Sequence, residues 1–280
     1  MKKNVLVALY ESSPAQILIA LVVNAFYAAV LGLSLAPSAW IVWASAARVF
    51  GFGPGSGSAA RGLAGLLGGA AKSAPGFGSF VLLGLAGGAA VFTYFLWGAI
   101  FQATLVRLLS LGIKPGRYPK VSSVTLRWLV YSGIYNISTR TVLPFIPVSW
   151  FITAYFRIIG AKIGRNVFIN TPWLNDAYLL TLEDGVILGG NAEISCHLYE
   201  RDWLHLERIR IGKDSLVGTG AYVPPGTDIG ERCVVGARCY LRKGTNLPDG
   251  SVYTVIAGLP ARRAFGIEKG RAPLREGRGE

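Results

Sequence analysis

The chain has 280 residues, of which 52% are hydrophobic and only 15% are charged, and its formal net charge is +13. This apolar content exceeds that of ordinary soluble proteins. Residues 1–160 hold 12 Lys and Arg but one acid, whereas residues 161–280 hold 16 Lys and Arg and 14 acids. Because the excess positive charge flanks long uncharged segments, it indicates a membrane surface as the partner and argues against nucleic acid.

Two uncharged segments predict membrane spans at about residues 15–36 and 78–106, within a transmembrane region of residues 1–127. About 20 apolar residues suffice to cross a bilayer core, and each segment is longer. A cleaved signal peptide is the alternative for the first, although its apolar region is usually shorter. The Gly-, Ala- and Ser-rich residues 51–76 predict a loop between the spans. Basic residues outside both spans place the two ends on the cytoplasmic side of a bacterial inner membrane.

Residues 128–160 predict interfacial or re-entrant helices that lead into the rest of the chain. Arg140, Pro144, Pro147 and Arg157 interrupt their apolar runs, so that neither run reaches spanning length. A third crossing is the alternative, and it would invert the orientation of everything that follows.

A period of six residues dominates the second half of the chain. An aliphatic residue recurs at Ile211, Val217, Val223, Ile229, Val235, Leu241 and Leu247. This period fits neither a helix nor a simple strand, but short strands stacked in three-sided coils produce it. Small residues and glycines at fixed offsets suit the corners, where a large side chain clashes and φ can be positive. The pattern predicts an all-β left-handed parallel β-helix over residues 161–265, with a disordered tail at 266–280.

The repeat is interrupted twice, at residues 173–180 and 196–210. Insertions of this kind project from a solenoid as loops, on which functional residues tend to lie. The chain has only two histidines, His197 and His205, and both fall in the second insertion. Since imidazole titrates near neutral pH, His197 is the candidate general base for proton removal. An incidental loop histidine is the alternative for His197, and His205 is interpreted as structural.

A general base works best when a carboxylate holds its other ring nitrogen. Glu200 is the first candidate for this second catalytic role, followed by Glu193 and Asp176, although such acids often face water or pair with nearby arginines. Asn175, Asp176 and Glu193 are alternatively interpreted as the wall of an acceptor pocket. Cys196 is a candidate nucleophile, with an inert buried thiol as the more common case.

Several segments resemble a known family. IGKDSLVGTGAYVPPGTDIGERCVVGARCYLRKGT, followed by the segment from Gly258 to Arg262, resembles the hexapeptide-repeat acyltransferases. NDAYLLTLEDG, SCHLYERD and RIRIG are similar to the carboxy-terminal membrane and β-helix region of nonribosomal peptide synthetases of the poly-lysine synthetase type. The resemblance implies transfer of an acyl group from acyl-CoA or a carrier-protein thioester to a hydroxyl or amine. It also implies a homotrimer with sites between neighbouring chains, and it places His197 where the family has its catalytic histidine.

In the related enzymes a coenzyme A arm lies along the coils, which implies a donor-binding role for basic residues there. These are Arg232, Arg238, Arg242, Lys243, Arg262 and Arg263. A solvated rim that faces anionic lipid is the alternative. No permanently bound cofactor is expected, with the thioester serving as a co-substrate. No metal site is expected either, because zinc enzymes that share this helix use three histidines per site.

The rival to an enzyme is a trimeric membrane scaffold for a synthetase or envelope-assembly complex. A transporter is disfavoured because the predicted spans contain no charged residue to line a polar path.

Overall fold

The computed structural model of the chain describes residues 13–50, 76–146, 148, 150–255 and 265–269. Most of the predicted loop at 51–76, the donor candidates Arg262 and Arg263 and the end of the predicted tail lie outside these residues. The chain forms two compact units, one of residues 19–102 and one that includes residues 103–255.

Two helices, α1 (Ser13–Phe50) and α2 (Phe77–Ser110), are long and apolar enough to cross a bilayer by length and composition. Helix α1 continues through Pro37, beyond the predicted end of the first span at about residue 36, and the bounds of the span itself stay a prediction. Proline lacks an N–H and leaves the Leu33 carbonyl without its helical donor. The indole Nε1 of Trp97 donates a hydrogen bond of 3.1 Å to that carbonyl, which compensates the break.

Between α2 and the repeats lie β1 (Gly116–Pro119), α3 (Ser123–Thr141) and α4 (Trp150–Ile159), with a 3₁₀ turn at Leu143–Phe145 between the two helices. Helix α3 begins at an N-cap, because the Ser122 hydroxyl accepts a hydrogen bond from the backbone N–H of Thr125. Its buried face includes Trp128, Tyr131, Ile134, Tyr135 and Ser138. These positions recur at helical spacing and pack inside the protein. Whether α3 and α4 lie at a bilayer interface stays a prediction.

The second half of the chain is a parallel β-helix of short strands, which confirms the predicted class of fold. The strands are β2 (Lys162–Ile163), β3 (Phe168–Ile169), β4 (Leu174–Asn175), β5 (Leu180–Leu182), β6 (Ile187–Leu188), β7 (Glu193–Ser195), β8 (His197–Glu200), β9 (Trp203–Leu206), β10 (Ile209–Ile211), β11 (Leu216–Val217), β12 (Tyr222–Val223), β13 (Asp228–Ile229), β14 (Val234–Val235), β15 (Asn246–Leu247) and β16 (Ser251–Val255). Three parallel sheets form its sides, in the orders β2-β5-β10-β13-β15, β3-β6-β11-β14-β16 and β4-β7-β12. Strands β8 and β9 form an antiparallel hairpin outside these sides.

The aliphatic residues of successive coils stack in register. Ile211 pairs with Ile229, and Ile229 pairs with Leu247, so each inward side chain lies above its equivalent. The first coil departs from strict sixfold spacing, because Leu174 occupies the core position opposite Ile194. The first insertion is therefore shorter than the predicted residues 173–180, since Leu174 and Asn175 belong to a side of the prism.

Close approach of the coils explains the glycines that directly follow the aliphatic residues. A Cβ on Gly218 would lie 2.5 Å from the backbone nitrogen of Ala237 in the next coil, which is too close for any side chain. Positive φ occurs elsewhere at the corners, for example 55° at Asn191 and 56° at Asp214. Asn and Asp tolerate this left-handed conformation better than most residues, so these corners do not require glycine.

Residues 265–269, at the start of the predicted tail, form strand β17 (Phe265–Lys269). This strand pairs antiparallel with β16. The last coil of a β-helix presents unpaired backbone groups at its edge, and β17 covers part of that edge.

Candidate active site

Both insertions leave the β-helix at the same corner, on consecutive coils. Asn175 at the end of β4 pairs with Ser195 at the end of β7, so the chain turns away from the prism at adjacent heights. The first insertion continues into a 3₁₀ turn at Ala177–Leu179 and the second into the β8–β9 hairpin. This stacking brings Asp176 next to His197 although 21 positions separate them in the sequence.

The side chains of Trp128, Asp176 and His197 form a connected group at this corner. The Nδ1 of His197 is hydrogen-bonded to Oδ2 of Asp176, and Oδ1 of Asp176 accepts a hydrogen bond of 2.8 Å from the indole Nε1 of Trp128. The Trp128 ring also packs edge-on against the imidazole, with 4.8 Å between ring centroids. The Asp176 side chain is 1% exposed and that of His197 is 27% exposed. A buried carboxylate with a hydrogen-bond partner on each oxygen thus holds an imidazole that reaches the surface.

These contacts define which nitrogen of His197 can act as a base. An ionised carboxylate only accepts hydrogen bonds, so Nδ1 must carry the hydrogen and Nε2 keeps a free lone pair in the neutral ring. Burial of the imidazole lowers its pKa, but the charge and hydrogen bond of Asp176, with the charge of Glu193, outweigh this effect. The pKa of His197 is therefore raised above its ordinary value.

The three residues predicted to line an acceptor pocket all lie near His197. The Nδ2 of Asn175 donates a hydrogen bond of 3.3 Å to Oε1 of Glu193, while Asp176 contacts the imidazole itself. Tyr222 stands beside Glu193 in the adjacent strand, and its ring stacks on Tyr240 at 4.5 Å between centroids. Burial raises the pKa of Tyr222 to about 12, so its hydroxyl stays protonated at neutral pH.

Glu200, the first sequence candidate for the partner of His197, is bound to other groups. Its Oε2 accepts a hydrogen bond of 3.1 Å from Nζ of Lys243 and lies 3.7 Å from Nε2 of His205. The hydrogen bond from Lys243 lowers the pKa of this exposed carboxyl. Because successive side chains of a strand alternate, His197 and Glu200 project to opposite faces of β8. The carboxylate that contacts His197 is that of Asp176.

The remaining candidates are spread over the β-helix. Arg238 and Arg242 are exposed on the fourth coil, at two different corners, and Lys243 is engaged with Glu200. Cys196 is fully buried, and this burial raises the pKa of its thiol, so it stays protonated and unreactive. Among the described residues no three His, Cys, Asp or Glu side chains form a group that fits a metal ion.

The role of Trp128 could not be found from the sequence. Trp128 and Asp176 are 48 positions apart, and no periodicity connects helix α3 to the first insertion. The helical spacing of Trp128, Tyr131 and Tyr135 indicates a shared face, but it does not identify what that face contacts. The Tyr135 hydroxyl donates a hydrogen bond of 2.6 Å to the Pro172 carbonyl, which fixes the same helix against the first coil.

Comparison with known proteins finds a family model that matches part of the β-helix. Residues 208–243 match the family model described as bacterial transferase hexapeptide (six repeats). The β-helix half of the chain is therefore similar to bacterial hexapeptide transferases in its six-residue repeat.

Two curated proteins and one solved structure illustrate the relationship. The chain is 32% identical over 170 residues to delta-poly-L-ornithine synthetase of Acinetobacter baumannii (strain AB307-0294), covering 61% of this chain but only 12% of the synthetase. It is 24% identical over 173 residues to the putative acetyltransferase YvoF of Bacillus subtilis (strain 168), covering 58% and 97% of the two chains. A hexapeptide-repeat acetyltransferase of Vibrio cholerae O1 biovar eltor, solved with acetyl coenzyme A, is 18% identical with a TM-score of 0.39, covering 52% of this chain and 92% of the other.

Proposed function

We propose that the chain is a membrane-bound acyltransferase that moves an acyl group from a thioester donor to a hydroxyl or amine acceptor, with His197 as general base. The observation that carries this proposal is the hydrogen bond between the buried carboxylate of Asp176 and Nδ1 of His197. This bond leaves Nε2 of a partly exposed imidazole free to accept a proton. The match of residues 208–243 to the bacterial transferase hexapeptide model supports acyl transfer as the reaction class.

In the proposed reaction, Nε2 of His197 removes the proton of the acceptor hydroxyl or amine. The acceptor oxygen or nitrogen forms a bond to the thioester carbonyl carbon, and the carbon–sulfur bond then breaks. The proton held on Nε2 passes to the departing thiolate, which leaves as a free thiol. The imidazole returns to its neutral form, so the cycle needs no metal ion and no further reactant.

Asp176 and Trp128 act through His197 and are positioning residues. Asp176 fixes the tautomer and orientation of the ring and stabilises the imidazolium that forms during the reaction. Trp128 donates to the second carboxylate oxygen, so that neither oxygen of this buried group lacks a partner. Its ring packs on the imidazole and restricts the position of Nε2.

The donor is an acyl-CoA or an acyl group on a carrier protein. Arg238 and Arg242 are exposed cations on the fourth coil and suit the phosphates of coenzyme A. A homotrimer would bring these coils of one chain towards His197 of a neighbour. The same cations would face an acidic carrier protein if that partner delivers the acyl group.

Two membrane helices would hold the enzyme at the inner face of a bacterial membrane. The length and apolar composition of α1 and α2 support this part of the proposal. We assign residues 1–127 to the membrane region, 128–160 to an interfacial linker and 161–265 to the catalytic β-helix on the cytoplasmic side. An acceptor that is linked to lipid or assembled at the membrane follows from this location.

The test uses the full chain in detergent with acetyl-CoA and longer acyl-CoAs, against a panel of amines and alcohols. Release of the coenzyme A thiol and formation of the acylated product are both measured. We expect His197→Gln to reduce turnover by at least about 100-fold, as loss of a general base does. His205→Gln, in the same hairpin, is the matched control and should retain turnover within about threefold.

Full turnover in the His197→Gln variant would remove the catalytic proposal. A membrane scaffold predicts no acceptor-dependent thiol release from wild-type protein and an unchanged cellular phenotype for this variant, so the same variants separate the two functions.

A further inference from the structure

A small cleft lies beside the end of helix α2, apart from the His197 site. Its volume is about 250 Å³, below the roughly 300–1,000 Å³ of pockets for drug-sized ligands. Four cationic residues contribute to its lining, and we call it the basic cleft. They are Arg107, Lys114, Lys162 and Arg208. Ser110 and Thr181 also contribute to its lining.

The cations of the basic cleft lack the acidic partners that other cations of the β-helix have. Arg210 forms ion pairs with Glu183 at 2.8 Å and Asp228 at 3.2 Å, and Arg165 pairs with Asp184. No Asp or Glu lines the basic cleft. Among the described residues, none of its four cations forms an ion pair. Four like charges around one small volume repel one another unless an anion lies between them.

Helix α2 accounts for one of these cations but not for the others. Arg107 lies in the last turn of α2, where a positive charge complements the helix dipole, and its Nη1 donates to the Ile159 carbonyl at 3.4 Å. Lys162 lies in β2, and Arg208 follows the β8–β9 hairpin. Their convergence on Arg107 from distant parts of the chain therefore needs another explanation.

The position of the basic cleft along α2 indicates the source of an anion. The apolar side chains of Leu108 and Leu111 are 58% and 47% exposed, so the apolar surface extends to the edge of the cleft. If α2 crosses the bilayer, the cleft lies where the hydrocarbon core ends and the phosphates of the headgroups begin. Guanidinium and ammonium groups are the side chains that bind phosphate oxygens most strongly.

We propose that the basic cleft binds the phosphate of an anionic phospholipid headgroup. This inference rests on the membrane location in the proposed function, but it does not depend on the chemistry of His197. Lipid phosphate would neutralise the convergent charges and fix the first coil relative to the bilayer surface.

The test compares lipid retention by native mass spectrometry of the full chain in detergent, with equal amounts of phosphatidylglycerol and phosphatidylcholine. The variant Lys162→Gln/Arg208→Gln removes two exposed cations of the basic cleft. The matched control, Arg210→Gln/Arg165→Gln, removes two exposed cations that form ion pairs with carboxylates. Inorganic phosphate is added in a separate arm as a competitor, and circular dichroism checks the fold of each variant.

We expect the wild type to retain phosphatidylglycerol preferentially and the cleft variant to bind it about tenfold more weakly or worse, since the variant loses two of the four cations that attract the phosphate. The control variant should bind like the wild type, and rising salt should weaken binding because the cations are exposed. Equal retention by wild type and cleft variant would overturn the proposal. Cleft-dependent binding of inorganic phosphate without preference between the two lipids would overturn the lipid source.

The His197→Gln variant separates this proposal from the enzymatic one. It should retain phosphatidylglycerol like the wild type even when turnover is lost. Loss of lipid retention in the cleft variant with intact thioester chemistry gives the converse result.

Discussion

The indole Nε1 of Trp128 donates a hydrogen bond of 2.8 Å to Oδ1 of Asp176, while Oδ2 of the same carboxylate is bonded to His197. This contact joins helix α3 to the first insertion of the β-helix. The histidine that we propose as the base is thus positioned by a segment outside the repeats. The β-helix alone supplies His197 and Asp176 but not the third member of the group.

Replacement of Trp128 by Phe tests this contact, because it keeps an aromatic ring against the imidazole and removes only the N–H donor. A hydrogen bond to a charged group contributes about 1.5–3 kcal/mol, so we expect kcat to fall about 10- to 100-fold with little change in the donor KM. Without the indole donor, the negative charge of the Asp176 carboxylate is balanced by His197 alone. The pKa of His197 therefore rises, and the acidic limb of the rate profile moves to higher pH.

The control for this variant is Trp203→Phe, at the far end of the hairpin beneath the Arg117 guanidinium. It should leave both kcat and the pH profile unchanged. A fall in activity of Trp128→Phe without movement of the acidic limb would indicate only a packing role for the indole.

Removal of the charge of Asp176 and removal of the charge of Glu200 should affect turnover very differently, because only Asp176 contacts His197. Asp176→Asn removes the charge next to Nδ1 and should lower kcat by at least about 100-fold. Glu200→Gln breaks an exposed pair with Lys243, so Tm should stay close to that of the wild type and turnover should change by less than about threefold. Steady-state turnover and thermal unfolding of both variants decide the assignment, and a larger loss of turnover for Glu200→Gln would reverse it.

Stability should depend on pH through the pair of Asp176 and His197. The pKa of His197 is raised in the folded state above its ordinary value of 6.5. Its protonated form is therefore favoured by folding, and this stabilisation is fully present below about pH 6.5 and is lost as the pH rises through the folded pKa.

We expect the difference in Tm between wild type and Asp176→Asn to be largest below about pH 6.5 and to shrink as the pH rises through the folded pKa of His197. Thermal unfolding in the same detergent across this range measures it. A difference in Tm that grows with pH would show that Asp176 does not favour the protonated form of His197.

Two adjacent glycines provide a matched test of how closely the coils pack. A Cβ on Gly189 would lie 2.6 Å from the backbone nitrogen of Thr219, whereas a Cβ on Gly190 would meet nothing closer than the side-chain nitrogen of Asn170 at 3.5 Å. We expect Gly189→Ala to lower the free energy of unfolding by about 2 kcal/mol or more. Gly190→Ala should stay within about 0.5 kcal/mol, and equal Tm values for the two variants would contradict this packing argument.

The sixfold recurrence from Ile211 to Leu247 was sufficient to predict the β-helix, because each aliphatic side chain must enter the same core. The helices α1 and α2 could be predicted from the length of two uncharged segments. The continuation of α1 through Pro37 could not be predicted, since it depends on a hydrogen bond donated by Trp97. Local sequence shows that a proline removes a hydrogen bond. It does not show which distant side chain replaces it.

The site was predictable only in part, for a similar reason. His197 was identified by its rarity and its place in an insertion, and Asp176 was among its candidate partners. The sequence favoured Glu200 because it shares the insertion, but strand alternation turns Glu200 towards Lys243. The contact of Asp176 with His197 depends on the alignment of two coils, and the contact of Trp128 with Asp176 depends on the packing of α3. Neither the alignment nor the packing can be recognised from local sequence.

The departure of both insertions from one corner leaves the rest of the prism free to vary. The pairing of β4 with β7 places Asp176 and His197 side by side, Trp128 of α3 holds the same carboxylate, and every later coil is stacked beyond them. Whole coils can therefore be gained or lost at the distal end without altering the geometry of the imidazole and its carboxylate. The number of distal coils is therefore a dimension that evolution, or an engineer, can change while Asp176 and His197 stay on the first two coils.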